Sequence, residues 1–357
     1  MRSRIYLPLL IFIAALIGVQ QITSYTGTAY YLTQLTMAAY YCLVIVGLCL
    51  MIGYAGQISL GHAGFFAIGG YLSAFLTTYD LTPMKDDRII SFLAKAGFLW
   101  TREDLYGGQM LIFQPWAACI AAVLSAVLIA YVIGGPVLKL KGHYLAMATL
   151  GFGTIVYRIV LGMTALGGAD GLSDVPPFKI LPFLEVSGEM SDRVQNYYIA
   201  WGLVVVAVFL SLNLIHSRIG RALRSIHGAE DAANAMGIDT ARYKLYTFVL
   251  SAAFASVAGV FLTHYNGGIG PSEASIMKSV RYVAIVAVGG MANLWGAVVM
   301  GTLLNFLSLR GYFGTYDDAV FGAILIVIML FVPRGLLHMD IVRDLKALLS
   351  GRDEEAV

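Results

Sequence analysis

Charge is what this chain has least of. Only 12% of its 357 residues are Asp, Glu, Lys or Arg, while 59% are hydrophobic. A soluble domain of this size needs far more charge to cover its surface, so an ordinary water-exposed globule is excluded and lipid becomes the expected solvent. The formal net charge of +2 is too small and too scattered to suggest nucleic acid. No basic stripe interleaved with aromatics occurs. Cysteine is scarce as well. Cys42, Cys49 and Cys119 lie in apolar stretches at spacings that fit no zinc site, and they read as small buried hydrophobes. Chemistry-bearing motifs are missing too. Without a Gly-x-x-x-x-Gly-Lys-Ser/Thr loop the chain has no such means of binding and splitting ATP. With no His-Glu-x-x-His, no Gly-x-Ser-x-Gly and no paired intramembrane carboxylates, an intramembrane enzyme or a proton pump has little support. No cofactor or metal site is expected.

Long apolar runs are what the chain has in place of charge. Stretches long enough to cross ~30 Å of hydrocarbon fall near 5–22, 30–52, 58–78, 111–134, 143–163, 197–216, 243–264 and 318–333. Met1-Arg2-Ser3-Arg4 ahead of the first run could pass for a secretory signal. No small-x-small cleavage site follows, and the run reads as a retained helix. The apolar run over 280–310 is interrupted by Gly289-Gly290-Met291-Ala292-Asn293-Leu294-Trp295-Gly296. It is too short for two full spans and a turn, but suits two short helices broken at the glycines, with the irregular backbone buried in protein. The expected fold is an all-α polytopic membrane protein of about ten helical passes, a broken pair included. Residues 1–340 would form the membrane domain and 341–357 a cytoplasmic tail.

Basic residues orient the passes. With both termini in the cytoplasm, the inner segments hold Arg2, Arg4, Lys139, Lys141, Arg218, Arg221, Arg224, Arg242, Lys244, Arg334, Arg343, Lys346 and Arg352, as the positive-inside rule prefers. Asp86, Asp87, Glu103, Asp104, Asp170, Asp174, Glu185 and Glu189 then fall outside, on the long loops 79–110 and 164–196. Loops of that length contact ligands or partners, or are simple exposed connections.

Several segments carry candidate function. The inner loop 217–242 is the most polar and basic stretch between spans. Glu230 and Asp231 sit where a short helix would begin, at the positive end of its dipole. Ala232 and Ala233 follow with small side chains, and Gly237 would end the helix. Such a helix either docks in a partner's groove or lies as an amphipathic turn at the headgroups. The run 53–70 is too dense in glycine for an ordinary lipid-facing helix, and its free backbone groups could line a polar path. Its candidates are Gly53, Gly56, Gln57, Ser59, Gly61, His62 and Gly64, with Gly289 and Gly290 of the broken pair beside them. A polar side chain inside a membrane suggests function; His62 is either such a residue or a satisfied packing histidine. Ser251, Ala255 and Gly259 form a small-residue stripe suited to close helix packing. Arg158 either snorkels to the interface or is buried for function.

Separated motifs then carry a family resemblance. Gly53-Tyr54-Ala55-Gly56-Gln57-Ile58-Ser59-Leu60-Gly61-His62-Ala63-Gly64-Phe65-Phe66, Tyr144-Leu145-Ala146-Met147-Ala148-Thr149-Leu150-Gly151-Phe152-Gly153, Gly167-Gly168-Ala169-Asp170-Gly171-Leu172 and Pro333-Arg334-Gly335-Leu336 occur in that order. Together, over most of 40–340, they resemble the LivM-like permeases of branched-chain amino-acid ABC importers. The resemblance implies a type II importer permease-like bundle in a bacterial cytoplasmic membrane. It also implies a second, LivH-like permease, two ABC ATPase subunits that bind the ATP, and an extracytoplasmic amino-acid-binding protein. In this superfamily the inner loop carries a Glu-Ala-Ala-x-x-x-Gly element that docks into the ATPase. Asp231-Ala232-Ala233-Asn234-Ala235-Met236-Gly237 is similar to it, with Asp for Glu. The chain departs from the family at Ser279-Val280-Arg281-Tyr282, where an acidic residue is usual, and at 291–297 after the glycine pair. Both departures are expected on the outer half, where ligand enters, and so bear on substrate. The alternatives are a urea or short-amide permease of the same family, and an ion-coupled secondary transporter, which would need the missing carboxylates.

Overall fold

The computed structural model describes residues 3–84, 87–103, 108–140, 142–181, 184–312 and 314–331. The motif at 333–336, the tail 341–357, and Arg2, Asp86, Asp104 and Lys141 lie outside them. The chain is a bundle of apolar helices: α1 (Ser3–Tyr25), α2 (Tyr31–Cys49), α3 (His62–Thr78), a short α4 (Arg88–Lys95), α5 (Pro115–Val137), α6 (His143–Gly162) and α7 (Arg193–His216). Then come the short α8 (Arg218–Gly228) and α9 (Glu230–Ala235), followed by α10 (Thr240–Asn266), α11 (Ile276–Gly289), α12 (Leu294–Leu309) and α13 (Asp317–Phe331). Among the described residues, six helices are long and apolar enough to cross a membrane: those over Tyr6–Tyr25, Tyr31–Tyr54, Pro115–Val137, His143–Gly162, Arg193–His216 and Thr240–Asn266. The polytopic all-α reading holds. α3, α11, α12 and α13 are apolar but shorter.

α2 is the axis of the bundle, packed by α7, α10 and α12. Small residues let those neighbours come close, since an absent side chain lets backbones approach and gain dispersion contact that lipid would otherwise supply. A Cβ on Gly47 would sit 2.9 Å from Ser251 Oγ, and one on Gly301 2.9 Å from Ile45 Cδ1. The stripe on α10 works in the same way. Ser251 meets α2, and Gly259 lies against the Phe66 carbonyl of α3.

Two span boundaries differ from expectation. The third span was expected to begin at 58, yet the helix starts at His62 and the preceding residues are irregular. α2 first loosens into a π-turn over Leu50–Tyr54, and Gly56 then adopts φ +68°, a conformation that breaks helical continuity at little cost only for glycine. The fourth apolar run was expected from 111. There Gln109–Phe113 is a strand, β2, paired antiparallel with β1 (Leu99–Glu103), and the helix begins only at Pro115, whose fixed φ suits a first turn.

Both outer loops are folded. Loop 164–196 supplies β3 (Leu172–Ser173), which pairs with β6 (Gly268–Ile269) beyond the end of α10, and a hairpin of β4 (Phe178–Leu181) with β5 (Leu184–Val186). Arg102 of the first loop bridges Asp174 of the second at 2.8 Å. His264 near the end of α10 lies 2.7 Å from the Pro176 carbonyl through Nδ1, which must therefore donate, leaving Nε2 to accept from Ser73 Oγ at 2.8 Å. The loops are laced to the spans rather than trailing from them. Arg158 is exposed on α6 rather than built into the bundle, in keeping with a side chain that reaches for an interface.

Candidate translocation path and coupling site

Loop 217–242 is a compact helical elbow. Ser217 Oγ accepts from the Ile219 and Gly220 amides at the start of α8, and the Asp239 carboxylate accepts from the Arg242 amide at the start of α10. Capping bonds of this kind satisfy orphan amides and fix where each helix begins. Between them, α9 opens with Glu230 and Asp231 in its first turn and is closed by Gly237 at φ +82°. Ala233 is buried in a small apolar cluster with Ala55, Leu223 and Ile226. Asp231, Ala232, Ala235 and Met236 are exposed, Met236 to 84%. α9 thus shows outward a face of small side chains with one flexible thioether. The Glu230 carboxylate meets Lys244 of α10, whose side chain is only 6% exposed, and Thr240 Oγ1 donates to Asn234 Oδ1 at 3.0 Å. These bonds tie the short helix to the foot of α10.

The glycine-rich segment touches this elbow. A Cβ on Gly56 would lie 3.0 Å from His227 Nδ1 of α8. From there the chain turns back into the bundle. Gln57, Ser59 and His62 are all buried. The Leu60 amide donates to Thr149 Oγ1 of α6 at 3.0 Å, and a Cβ on Gly61 would stand 2.7 Å from the Thr149 carbonyl. Gly64 lies against Gly153. His62 Nε2 is 2.7 Å from Ser251 Oγ, while its Nδ1 and both amide atoms of Gln57 have no partner. His62 is therefore half satisfied, fitting neither reading of it alone. The path glycines serve first as close-contact points between backbones.

The glycine pair belongs at this same end. A Cβ on Gly53 would overlap the Met291 carbonyl, Tyr54 Oη donates to the Ala292 carbonyl at 2.9 Å, and Gly289 abuts Gly296 and Ala297. The residues after the pair were expected on the outer half. The structure instead sets 291–297 at the same end of the bundle as loop 217–242, which was expected on the inner side, because α11 and α12 fold as a tight antiparallel pair whose turn reaches the π-turn of α2. Gly289 and Gly290 are therefore brought together with Gly53 and, through it, with Gly56 and the elbow. Gly61, His62 and Gly64 lie further along, on α3 and its approach.

One polar group escaped the sequence reading. The segment 271–274, which falls between the expected apolar runs, forms a 3-10 turn packed on α3, α6 and α11, and Ser275 caps α11 by accepting from the Lys278 amide. This turn carries Glu273 inward. Lys278 Nζ donates to Glu273 Oε1 at 3.0 Å and to Tyr41 Oη at 3.1 Å, and Tyr41 Oη donates to Glu273 Oε1 at 3.1 Å. Both charged side chains are mostly covered, 18% and 23% exposed. Tyr41 lies ten residues into α2, about 15 Å from the Tyr31 end at the rise of an α-helix. The signal available was the pairing of a Pro-Ser-Glu turn with a lysine in the first turn of the apolar helix that follows it.

Comparison with known proteins bears on all of these elements. The profile of the family described as "Branched-chain amino acid transport system / permease component" matches residues 30–329. The chain belongs to this permease family. Among its relatives, the permease is 30% identical over 325 residues to the high-affinity branched-chain amino acid transport system permease protein LivM of Escherichia coli (strain K12), covering 85% of this chain and 69% of that one. It is 26% identical over 320 residues to the LivH protein of the same organism, covering 86% and 96%. To a probable LivM protein of Methanocaldococcus jannaschii it is 25% identical over 329 residues, covering 83% and 90%. No solved structure matches the permease significantly. The matched region holds α2 through most of α13, so the axis, the glycine seam, the elbow and the Glu273–Lys278 pair all lie inside it.

Proposed function

We propose that this permease is the path-forming transmembrane subunit of an ATP-binding-cassette importer for branched-chain amino acids. The family match over 30–329 carries the reading, and relatives named as LivM and LivH support the substrate class over urea or short amides. The chain pairs with a second, LivH-like permease. Two ABC ATPases bind ATP and dock at the inner elbow, and an extracytoplasmic binding protein delivers substrate to the laced outer loops. Both termini lie in the cytoplasm of a bacterial inner membrane. Glu230, Asp231, Ala232, Ala233 and Gly237 form the docking element. Its bonds to the foot of α10, and the contact of the adjoining α8 with Gly56 through His227, offer a mechanical route from ATPase closure to Gly53, Gln57, Ser59, Gly61, His62, Gly64 and the Gly289–Gly290 turn. Movement along that route requires no cofactor held by this chain.

The test is reconstitution of the whole importer in proteoliposomes. Gly237→Pro forces φ near −65° on a residue that sits at +82°. ATP-dependent leucine uptake is expected to be lost while the complex still assembles. Undiminished uptake would remove the elbow from coupling, and transport of urea without leucine by the unaltered complex would overturn the substrate.

A further inference from the structure

The function proposed above does not use the mostly covered ion pair between α2, α3 and α11. Three polar atoms around it are enclosed and have no hydrogen-bond partner: Glu273 Oε2, Tyr71 Oη and Tyr282 Oη. Tyr71 and Tyr282 are themselves only 3% and 0% exposed. Both phenols lie within electrostatic reach of the Glu273 carboxylate. The Tyr282 ring centroid is 6.1 Å from that of Tyr41, and Lys278 Nζ stands 4.4 Å over the Tyr41 ring. Buried polar groups are almost always bonded, and those that are not ask for an explanation. Here the unbonded atoms converge from two helices and one turn on one carboxylate–ammonium pair.

The geometry points to Glu273, Lys278, Tyr41, Tyr71 and Tyr282 as a binding station for a zwitterionic α-amino acid on its way through the permease, a statement that rests on the importer reading above. The pair itself is neutral, and Arg281, one turn further along α11, adds a positive charge within electrostatic reach of Tyr41 and Tyr282. A bare cation entering the pair would leave one mostly covered charge without a counterion and would meet that second positive charge, which is unfavourable. A zwitterion leaves none: its ammonium is taken by Glu273 Oε2 with the phenol oxygens as further acceptors, and its carboxylate by Lys278 with a phenol hydroxyl donating. One ion pair is exchanged for two, and the three idle atoms gain partners. Phe66, stacked on Tyr41 at 6.0 Å between ring centroids, gives the station an apolar wall for an aliphatic side chain. The residual exposure of Glu273 and Lys278 gives the ligand an edge to enter by. A neutral amide or urea has no charge to exchange with the pair and would not open it.

The unbonded hydroxyls supply the test. In the resting structure they make no bond, so if the cluster only holds helices together, Tyr282→Phe and Tyr71→Phe leave transport unchanged. If it receives substrate, each lowers leucine uptake by the reconstituted importer about three- to tenfold, as loss of one ordinary hydrogen bond implies, with the melting temperature of the complex held or raised. Glu273→Gln lowers uptake more than about tenfold by the same reasoning, while binding-protein-stimulated ATP hydrolysis persists. Wild-type uptake by both Phe variants overturns the station. So does full uptake by Glu273→Gln. Should that variant fail to assemble, the Phe variants decide alone. An unaltered importer that carries urea but no amino acid overturns the importer reading and the station together, an outcome distinct from variants that transport normally beside an active wild type.

Discussion

α1 and α2 are consecutive and both strongly apolar, yet 17% of the most apolar window of the first is buried against 89% of the second. Hydropathy says that each enters the membrane; it does not say which becomes the axis. The distinction lies in what each helix offers a neighbour. α1 turns Leu7, Leu10, Ile11 and Ile17 outward, and a Cβ on its Gly18 would meet nothing within 4 Å. α2 turns Ala38, Ala39, Cys42, Gly47 and Cys49 to close neighbours. In lipid there is no hydrophobic gain in bringing two helices together, so small residues and fitted contact decide position.

The sharpest way to break this comparison is to make the same substitution in both helices. Gly47→Leu must push Ser251 and α10 away. It is expected to cost more than about 3 kcal/mol, the range of severe overpacking, and to abolish recovery of folded permease in detergent. Gly18→Leu should stay within about 0.5 kcal/mol of wild type, as surface changes do, measured as the melting temperature of the purified complex. Equal losses at the two sites would show that the axis is not defined by close approach. Next in size is Lys244→Met, which leaves Glu230 without its buried partner. Because Glu230 is partly exposed, the expected destabilisation is roughly 1–3 kcal/mol. The elbow should loosen in hydrogen exchange at α9, and the ratio of uptake to ATP hydrolysed should fall. Leu124 of α5, 61% exposed, tests the lipid-facing side: Leu124→Ala should shift stability by less than about 0.5 kcal/mol.

The smallest effect belongs to the outer loops. Asp80 accepts from the Thr82 hydroxyl, from the Thr82 amide at 2.8 Å and from the Leu111 amide. These bonds, the Thr82 hydroxyl first, hold its carboxyl below the usual carboxylate range. A lowered folded-state pKa means that the tether's contribution is full above the ordinary Asp value and is lost as pH falls through the lowered one. Since Asp80 is largely solvated, protection of the Leu111 amide should weaken only slightly in Asp80→Asn at neutral pH. The same variant should abolish the acid-induced change in that protection.

Much of the fold was legible because the membrane imposes one rule on every span: twenty or so apolar residues with satisfied backbone. That rule found the six long helices and the broken pair. It placed the third span too early, since Ile58 and Leu60 are as apolar as helix residues while the π-turn and Gly56 decide the backbone there. It said nothing of 265–279, because Pro271, Ser272 and Glu273 are ordinary loop residues; only packing against α3 and α11 turns that carboxylate inward. The elbow was legible in more detail. Its helix start at Glu230 is written in acidic charge at the positive end of the dipole and its end in the positive φ of Gly237, local signals that need no tertiary partner. The location of 291–297 was not, because which end of a bundle a short helical pair faces depends on the contact between Gly53 and the Met291 carbonyl, a relation between residues far apart in sequence.

That contact has a consequence for heredity. Where two side chains interlock, enlarging one can be answered by shrinking the other, and a second mutation in the partner restores fit. Gly53 faces the carbonyl of Met291, Gly61 that of Thr149 and Gly289 that of Gly296. A carbonyl cannot be mutated away. Suppressors of a Gly53 variant must therefore arise by displacing α11 and α12 as a unit, and they should map to residues behind that pair rather than to position 291.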